Sequence, residues 1–520
     1  MKKMAPLKLP LDHGEEPQGH DDMFSELPDH ILLCILEKFP GDDVRSLART
    51  CVLSKRWRAL FPPPLMLPEL EITARTFVPA ADGSGMVQLL HQATESFTAA
   101  LRFFLAGGGE HQRRAIIETL RLELYLIKPN YLLDACHLVA GAIDRGEVRG
   151  LELVVLTGTP PFVWDAATAP ENVRVGRFFA GRFMRLLAAA AIFASSLRAL
   201  TLENLLFRSP SDVGTLLGTC AALENLTLDS CGFADLWSVL TIDAPPSSRL
   251  KELYLENLHA GGVRLVHAPR LEWLVCSEWM AASCPVTFGP GSAPCLEDMT
   301  LNNRAATWQS RFCLSELLQN APPLQALRLG FTNDKIWVQP ESPKALGPAF
   351  SKLQMLHLLN VFPERDLSWT MFLLQAAPLL ESVHIEVSHN HACSEFKPDY
   401  QREILDRLKW EVPPGFRHHH LRELHVGGGI DAGKKFVGFA RLVVVRAVSL
   451  ELLVLDGRVT CEECVAAQLQ DPSVVLSRFP EDEGDVDVMV NRIMDGISRC
   501  ARIIVYSASN WAYEYRSNKS

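Results

Sequence analysis

No run in this sequence comes near the about 18 consecutive apolar residues that a membrane-crossing helix needs. The longest candidate, Leu186 to Ala194, has nine and is flanked by Arg185 and Arg198, so it reads as a buried helix. Dense Lys/Arg runs are also missing and the net charge is −10, which leaves no basic face for duplex nucleic acid. The start, MKKMAPLKLPLDHGEEPQGHDD, holds no apolar h-region, so a secretory signal is not expected. The sequons at Asn225 and Asn518 therefore have no visible secretory route to glycosylation. The 13 cysteines are odd in number and scattered, which predicts reduced core thiols in a cytoplasmic or nuclear protein. No G-x-S-x-G, H-E-x-x-H or Cys/His nucleophile signature occurs. What remains is an ordinary globular mixture, 48% hydrophobic and 22% charged, in 520 residues, enough for two or more domains.

The first distinct feature is LPDHILLCILEKFP. Leu27, Ile31, Leu32, Ile35, Leu36 and Phe39 recur at helical spacing and make a broad apolar face. Pro28 suits a first turn, Asp29 its positive end and Lys38 its negative end, and Pro40-Gly41 stops the helix. A second amphipathic helix is expected over Asp42–Cys51, and a third from Ser54 to Phe61, ended by Pro62 to Pro64. Three short helices in about 40 residues bury little surface alone. Their surplus apolar side chains either dock on the chain's own body or form an interface for another protein.

The stretch LPDHILLCILEKFPGDDVRSLARTCVLSKRWRALF resembles an F-box, in the plant form whose third helix reads VLSKRWR. The resemblance implies docking to a Skp-family adaptor, and through it to a cullin ubiquitin ligase. It also implies that Leu27, Pro28, Ile31, Leu32, Ile35, Leu36 and Trp57 face the adaptor or shape that interface, some of them by holding the three helices together.

Beyond the module the chain repeats. Leu-x-x-Leu-x-Leu patterns start at residues 197, 223, 250, 271, 296, 324, 353, 380, 421 and 450. Successive starts differ by 26, 27, 21, 25, 28, 29, 27, 41 and 29 residues, most of them near the leucine-rich-repeat period of roughly 20–29. Weaker copies start at Leu67, Ile117 and Val148. Positions four and six of each copy point the same way from a strand, so stacked copies share one core. Helical-looking stretches such as VGTLLGTCAALENL and LSELLQNAPPLQAL lie between them. The expected class is α/β: a small three-helix F-box, then a curved solenoid with parallel strands on the concave face and helices on the convex face. The expected divisions are a flexible segment over 1–22, the F-box over 23–63, the solenoid over 64–507 with an insertion near 387–420, and a tail over 508–520. FARLVVVRAVSLELLVLDGR resembles the C-terminal region of plant F-box proteins of the FBD and leucine-rich-repeat type, and PEDEGDVD reads as a solvated acidic loop.

Two near-motifs were weighed against enzymatic use. Gly428-x-x-x-x-Gly433-Lys434 matches a phosphate loop except that Lys435 stands where Ser or Thr would bind magnesium, so it reads as a glycine-rich turn. Cys461 and Cys464 form a lone pair, about 40 residues from His418, His419 and His420, short of the four ligands of a structural zinc. No cofactor or metal is expected. The chain resembles plant F-box receptors that hold a target protein near the charged ubiquitin carrier, which implies a non-catalytic subunit. The alternatives are a scaffold that presents no target and, more weakly, a nucleotide-binding enzyme using the Gly428 loop.

Positions three, five and seven of the ten clear repeats should face solvent, and they hold eight acidic residues against one basic. Glu203, Asp229 and Glu256 would stack on adjacent strands, either as a solubilising face or as a dock for a target segment carrying Lys or Arg. Position five reads Arg328, His357, His384 and His425 in four successive repeats. Such a column can be ordinary polar surface, titrate near pH 6.5, or bind an anion with help from Arg328. Metal ligation is the weakest use, because rings stacked along strands lack a further ligand.

Overall fold

All thirteen leucine-pattern segments are strands, and they lie side by side in the order in which the chain makes them. The computed structural model describes residues 27–36, 38, 56–57, 66–78, 86–106, 116–127, 129–158, 169–235, 237–306, 308–331, 335–361, 366–388, 410–428, 430, 432–458, 479–480, 482–497, 501–507 and 512–516. Among the described residues, fifteen strands form one sheet, from Met66–Thr73 to Ala512–Arg516. Every pairing is parallel except the last, where Ala512–Arg516 runs antiparallel to Arg502–Tyr506.

The register explains the core. Position-four residues fall in one row across the sheet, Leu200 beside Leu226, Leu226 beside Leu253, and so on to Leu453 beside Ile503. None of these five is more than 1% exposed. Each leucine so buried stabilises the fold by about 1.5–3 kcal/mol relative to leaving it in water. One face of the sheet is therefore sealed, and helices such as Met86–Ala106 and Pro129–Asp144 pack on its early strands. The opposite face carries positions three, five and seven, which are half-buried or exposed through most of the array.

Three expectations need correction. Helices do not fill every interval, since Val239–Asp243, Gly262–His267 and Val286–Phe288 form a second, three-stranded parallel sheet. These strands occupy the three successive intervals between the starts at 223, 250, 271 and 296, where extended chain returns from one main strand to the next. The acidic stretch is not a loop: Glu483–Met494 is a helix whose N-cap, Asp482, accepts the Asp485 amide at 2.8 Å, and Glu483 and Asp485 sit at its positive end. The segment set apart as a tail contributes the final strand, with Arg502 Nε 2.9 Å from Glu514 Oε1 and the Tyr513 hydroxyl donating to Asp487.

The insertion is packed where it is described, and residues 389–409 lie outside the described residues. Trp410 donates to Gln375 at 3.3 Å. His418 is buried, its Nε2 donates to the Ala377 carbonyl at 2.9 Å, and its Nδ1 accepts the Leu421 amide at 3.0 Å. Burial, opposed in part by the Ala377 bond, lowers its pKa, so it is a neutral tie between the insertion and the sheet. That use of both nitrogens removes it as a metal ligand. Cys461 and Cys464 lie outside the described residues.

Each early strand leaves the sheet through the same turn. Asn204, Ser230, Asn257 and Glu278, at position eight of their repeats, have φ between 48° and 57°. Each donates its amide to the next strand's end: Asn204 to the Asp229 carbonyl at 3.0 Å, Ser230 to Glu256 at 2.9 Å. Asn tolerates this left-handed backbone better than most residues. Beside the strand ends lies a cluster of rings. Trp337 stacks on Phe312 at 5.4 Å, meets Trp279 edge-on at 5.0 Å, and donates from Nε1 to the Gly330 carbonyl at 3.1 Å.

Candidate functional site

In the N-terminal module Asp29–Leu36 is helical, and Arg56 and Trp57 have helical backbone. The second expected helix and most of the third lie outside the described residues. Arg56 donates from Nε to Asp29 Oδ1 at 2.7 Å and from Nη2 to the Leu27 carbonyl at 2.5 Å, which fastens the third segment to the start of the first helix. Leu32 and Trp57 are buried within the chain, at 1% and 6% exposure. Pro28 and Ile31 are exposed, and Leu27 and Ile35 are half-exposed. The Leu36 side chain lies outside the described residues. Among the described residues of the module, Leu27, Pro28, Ile31 and Ile35 thus carry the apolar surface that reaches solvent.

The open face of the sheet has two distinct regions. Toward the N-terminal end, Glu203, Asp229 and Glu256 are neighbours in strict register. Arg75, in the turn Ala74–Phe77, reaches Glu203 and Glu123 at 3.2 Å each. Burial raises the Glu203 pKa, with Arg75 opposing it, and burial followed by Asp229 raises that of Glu256. A carboxylate whose folded pKa is raised adds stability below its unfolded value near 4.3 and loses it as pH rises through the folded value. Ionised Glu256 therefore opposes folding at neutral pH. Glu256→Gln is expected to raise stability at pH 7 by about 0.5 kcal/mol, the scale of a like-charge cross-strand pair. In urea melts that gain should fade as pH approaches 4; a gain equal at both pH values would show that ionisation is not its source.

Further along, Arg328, His357, His384 and His425 do form one column. His357 and His384 stack at 4.6 Å, and His384 and His425 at 4.2 Å with rings only 5° apart. The insertion does not break the row, because the strands Ser382–Val387 and Glu423–Gly428 still pair directly. Arg328 is not free for an outside anion. It binds Asp298 at 2.5 Å and lies over the Trp273 ring at 5.2 Å. Titration near 6.5 is also corrected. Burial, then the charges of His425 and His357, push His384 down to about 4, and burial followed by Arg328 lowers His357. His357 and His384 are therefore neutral imidazoles at physiological pH.

Above it opens a recess of about 450 Å³, lined by His357, His384, His425, Gly427, Asp456 and Arg458. Arg458 pairs with Asp456 at 2.5 Å and caps Tyr506 at 4.3 Å, closing one wall. Gly428 forms part of the opposite boundary for a packing reason. Its φ is +94°, and a Cβ there would lie 2.2 Å from the Val387 carbonyl oxygen. Gly433 caps the helix Lys434–Arg446, and Lys434 is exposed. Gly428→Ala is expected to destabilise the chain by about 3 kcal/mol from backbone strain and steric clash. Lys434→Ala should cost less than about 0.5 kcal/mol. A phosphate loop would give a different pattern, with loss of nucleotide binding in Lys434→Ala, measurable by fluorescent-nucleotide titration.

Comparison with known proteins accounts for both parts of the chain. The family model described as At1g61320/AtMIF1, LRR domain, matches residues 187–479, and the F-box domain model matches residues 24–62. The chain belongs to the plant F-box/LRR family. Among Arabidopsis thaliana relatives, the F-box/FBD/LRR-repeat protein At2g04230 is 26% identical over 263 residues, 49% of this chain and 53% of that protein. The FBD-associated F-box protein At5g38590 is 26% identical over 269 residues, 50% of this chain and 56% of that protein. The F-box/FBD/LRR-repeat protein At4g00160 is 27% identical over 268 residues, 49% of this chain and 52% of that protein. The chain spans about half the length of the curated relatives it matches.

Within this F-box/LRR protein, sequence reasoning placed the acidic row and the imidazole column correctly in register. It missed Asp298 as the partner of Arg328, although Asp298 occupies position three of the preceding repeat. It also missed Glu423 beside His425, where the two lie two residues apart on one strand face and His425 Nε2 and Glu423 Oε2 approach to 3.5 Å. In both cases the signal was available, because position three of one repeat neighbours position five of the same or the next.

Proposed function

We propose that this F-box/LRR protein is the target-recognition subunit of an SCF-type ubiquitin ligase. On this reading the face bearing Leu27, Pro28, Ile31 and Ile35 docks on a Skp-family adaptor and thereby a cullin. Leu32 and Trp57 brace that face, and Leu36 completes it. The uncovered face of the sheet, concave in a curved solenoid, captures a target through the Glu203–Asp229–Glu256 row and the recess over His357, His384 and His425. The chain has no catalytic step of its own. It holds a target lysine near the charged carrier, so the gain is effective concentration. The observation that carries the reading is the pairing of an F-box match with an uncovered sheet face bearing a recess on the same chain. Work in the cytoplasm or nucleus fits the buried free thiols of Cys136, Cys220, Cys231 and Cys276, whose pKa values burial pushes upward. The test is co-purification of the full chain from plant cells under proteasome inhibition. A cullin should co-purify, and proteins captured by the repeats should turn over more slowly when the F-box segment is deleted. Adaptor binding with no change in any captured protein's turnover would favour the scaffold without ligase function.

A further inference from the structure

We propose that His384, His425 and Glu423 form a binding site for a divalent transition metal on the open face of the sheet. Their donor atoms all lie within 4.8 Å of one another. Two strands build the set: Ser382–Val387 supplies His384, and Glu423–Gly428 supplies both Glu423 and His425, which point the same way because they are two residues apart. Direct pairing of His384 with His425 fixes the strand spacing. Among the described residues the buried His425 Nε2 makes no hydrogen bond, its approach to Glu423 Oε2 being 3.5 Å, and the neighbouring His357 Nε2 makes none either. A ring nitrogen hidden from water with no bond of its own is costly unless something else satisfies it. Zinc takes imidazole nitrogen and carboxylate oxygen at about 2.0–2.2 Å, which sets donors about 3.3 Å apart in a tetrahedron. Binding a metal therefore requires the two stacked rings and exposed Glu423 to rotate until their donors close from the present separation to that value. Two imidazoles and one carboxylate are a donor set for zinc, nickel, cobalt or iron rather than for magnesium or calcium. Open coordination positions would face the recess.

The test uses the full chain, stripped with a chelator, and Co²⁺ as the probe. The absorption of Co²⁺ separates thiolate from nitrogen and oxygen ligation, which matters in a chain with 13 cysteines. The expected result is one Co²⁺ per chain without a thiolate band. His384→Ala and His425→Ala should each weaken binding by at least about tenfold, the loss produced even by removing an outer-shell partner. Glu423→Gln, at an exposed strand position, should weaken it with an unchanged melting curve, so the carboxylate arm stands even if an alanine variant folds poorly. Exposed His419→Ala with His420→Ala should leave binding as it was. No nitrogen/oxygen-type binding by the intact chain, wild-type affinity in Glu423→Gln, or unchanged binding in a folded His384→Ala/His425→Ala variant would each overturn the proposal.

Discussion

Leu27→Asp combined with Ile31→Asp should abolish capture of a Skp-family adaptor by the full chain while leaving the body folded. Ile31 is exposed and Leu27 half-exposed, whereas Leu32 and Trp57 are buried within the chain. A carboxylate buried without a partner in a protein interface costs several kcal/mol, so two of them should reduce adaptor binding by more than about 100-fold. Pull-down with purified adaptor measures the loss, and circular dichroism checks that the sheet is unchanged. Capture at wild-type strength would remove this face from the interface. Leu32→Asp is the contrasting variant. It should also lose adaptor, but by unfolding the module, and proteolysis near the N-terminus should then speed up.

Trp337→Ala should produce the largest loss of stability in the body, about 3–5 kcal/mol, the range for deleting a buried large aromatic side chain. The ring is 1% exposed and touches Trp279, Phe312 and Phe331, so no single neighbour can fill the space it leaves. The change also leaves the Gly330 carbonyl without the indole donor. Equilibrium urea unfolding should report it, with Trp308→Ala as a control, because that ring is 55% exposed. A loss below about 1 kcal/mol would mean that the surrounding rings collapse into the space and that the cluster is loosely packed.

How much was legible follows from what each signal encodes. The leucine pattern encodes which side of a strand is buried, and every segment carrying it became a strand of the main sheet. The last two strands, ARIIVY and AYEYR in sequence, lack the leading leucine and escaped notice, although burial alternates along Arg502–Tyr506 as in any other strand. The second sheet was hidden because its strands, of three to six residues, are too short to show a period of two clearly against the helical period of 3.6. At the open face, identity and register were readable but partnership was not. Arg328 looked available because its partner sits on the preceding strand, and the histidines looked ordinary because their burial comes from stacking on one another.

The order of the sheet has a consequence for how this molecule fails. Within the main sheet each described strand bonds only to the main-sheet strands that precede and follow it along the chain, so contacts pass from repeat to neighbouring repeat. Opening should begin at an end and travel inward one repeat at a time, and hydrogen exchange should rank amides by distance from the ends rather than by depth alone. The reversed strand Ala512–Arg516 stands at one of those ends. It covers the parallel edge of Arg502–Tyr506, which would otherwise offer unpaired backbone to another chain. Chains shortened before Ala512 should therefore lose solubility by edge-to-edge association before they lose the helices and strands of the middle.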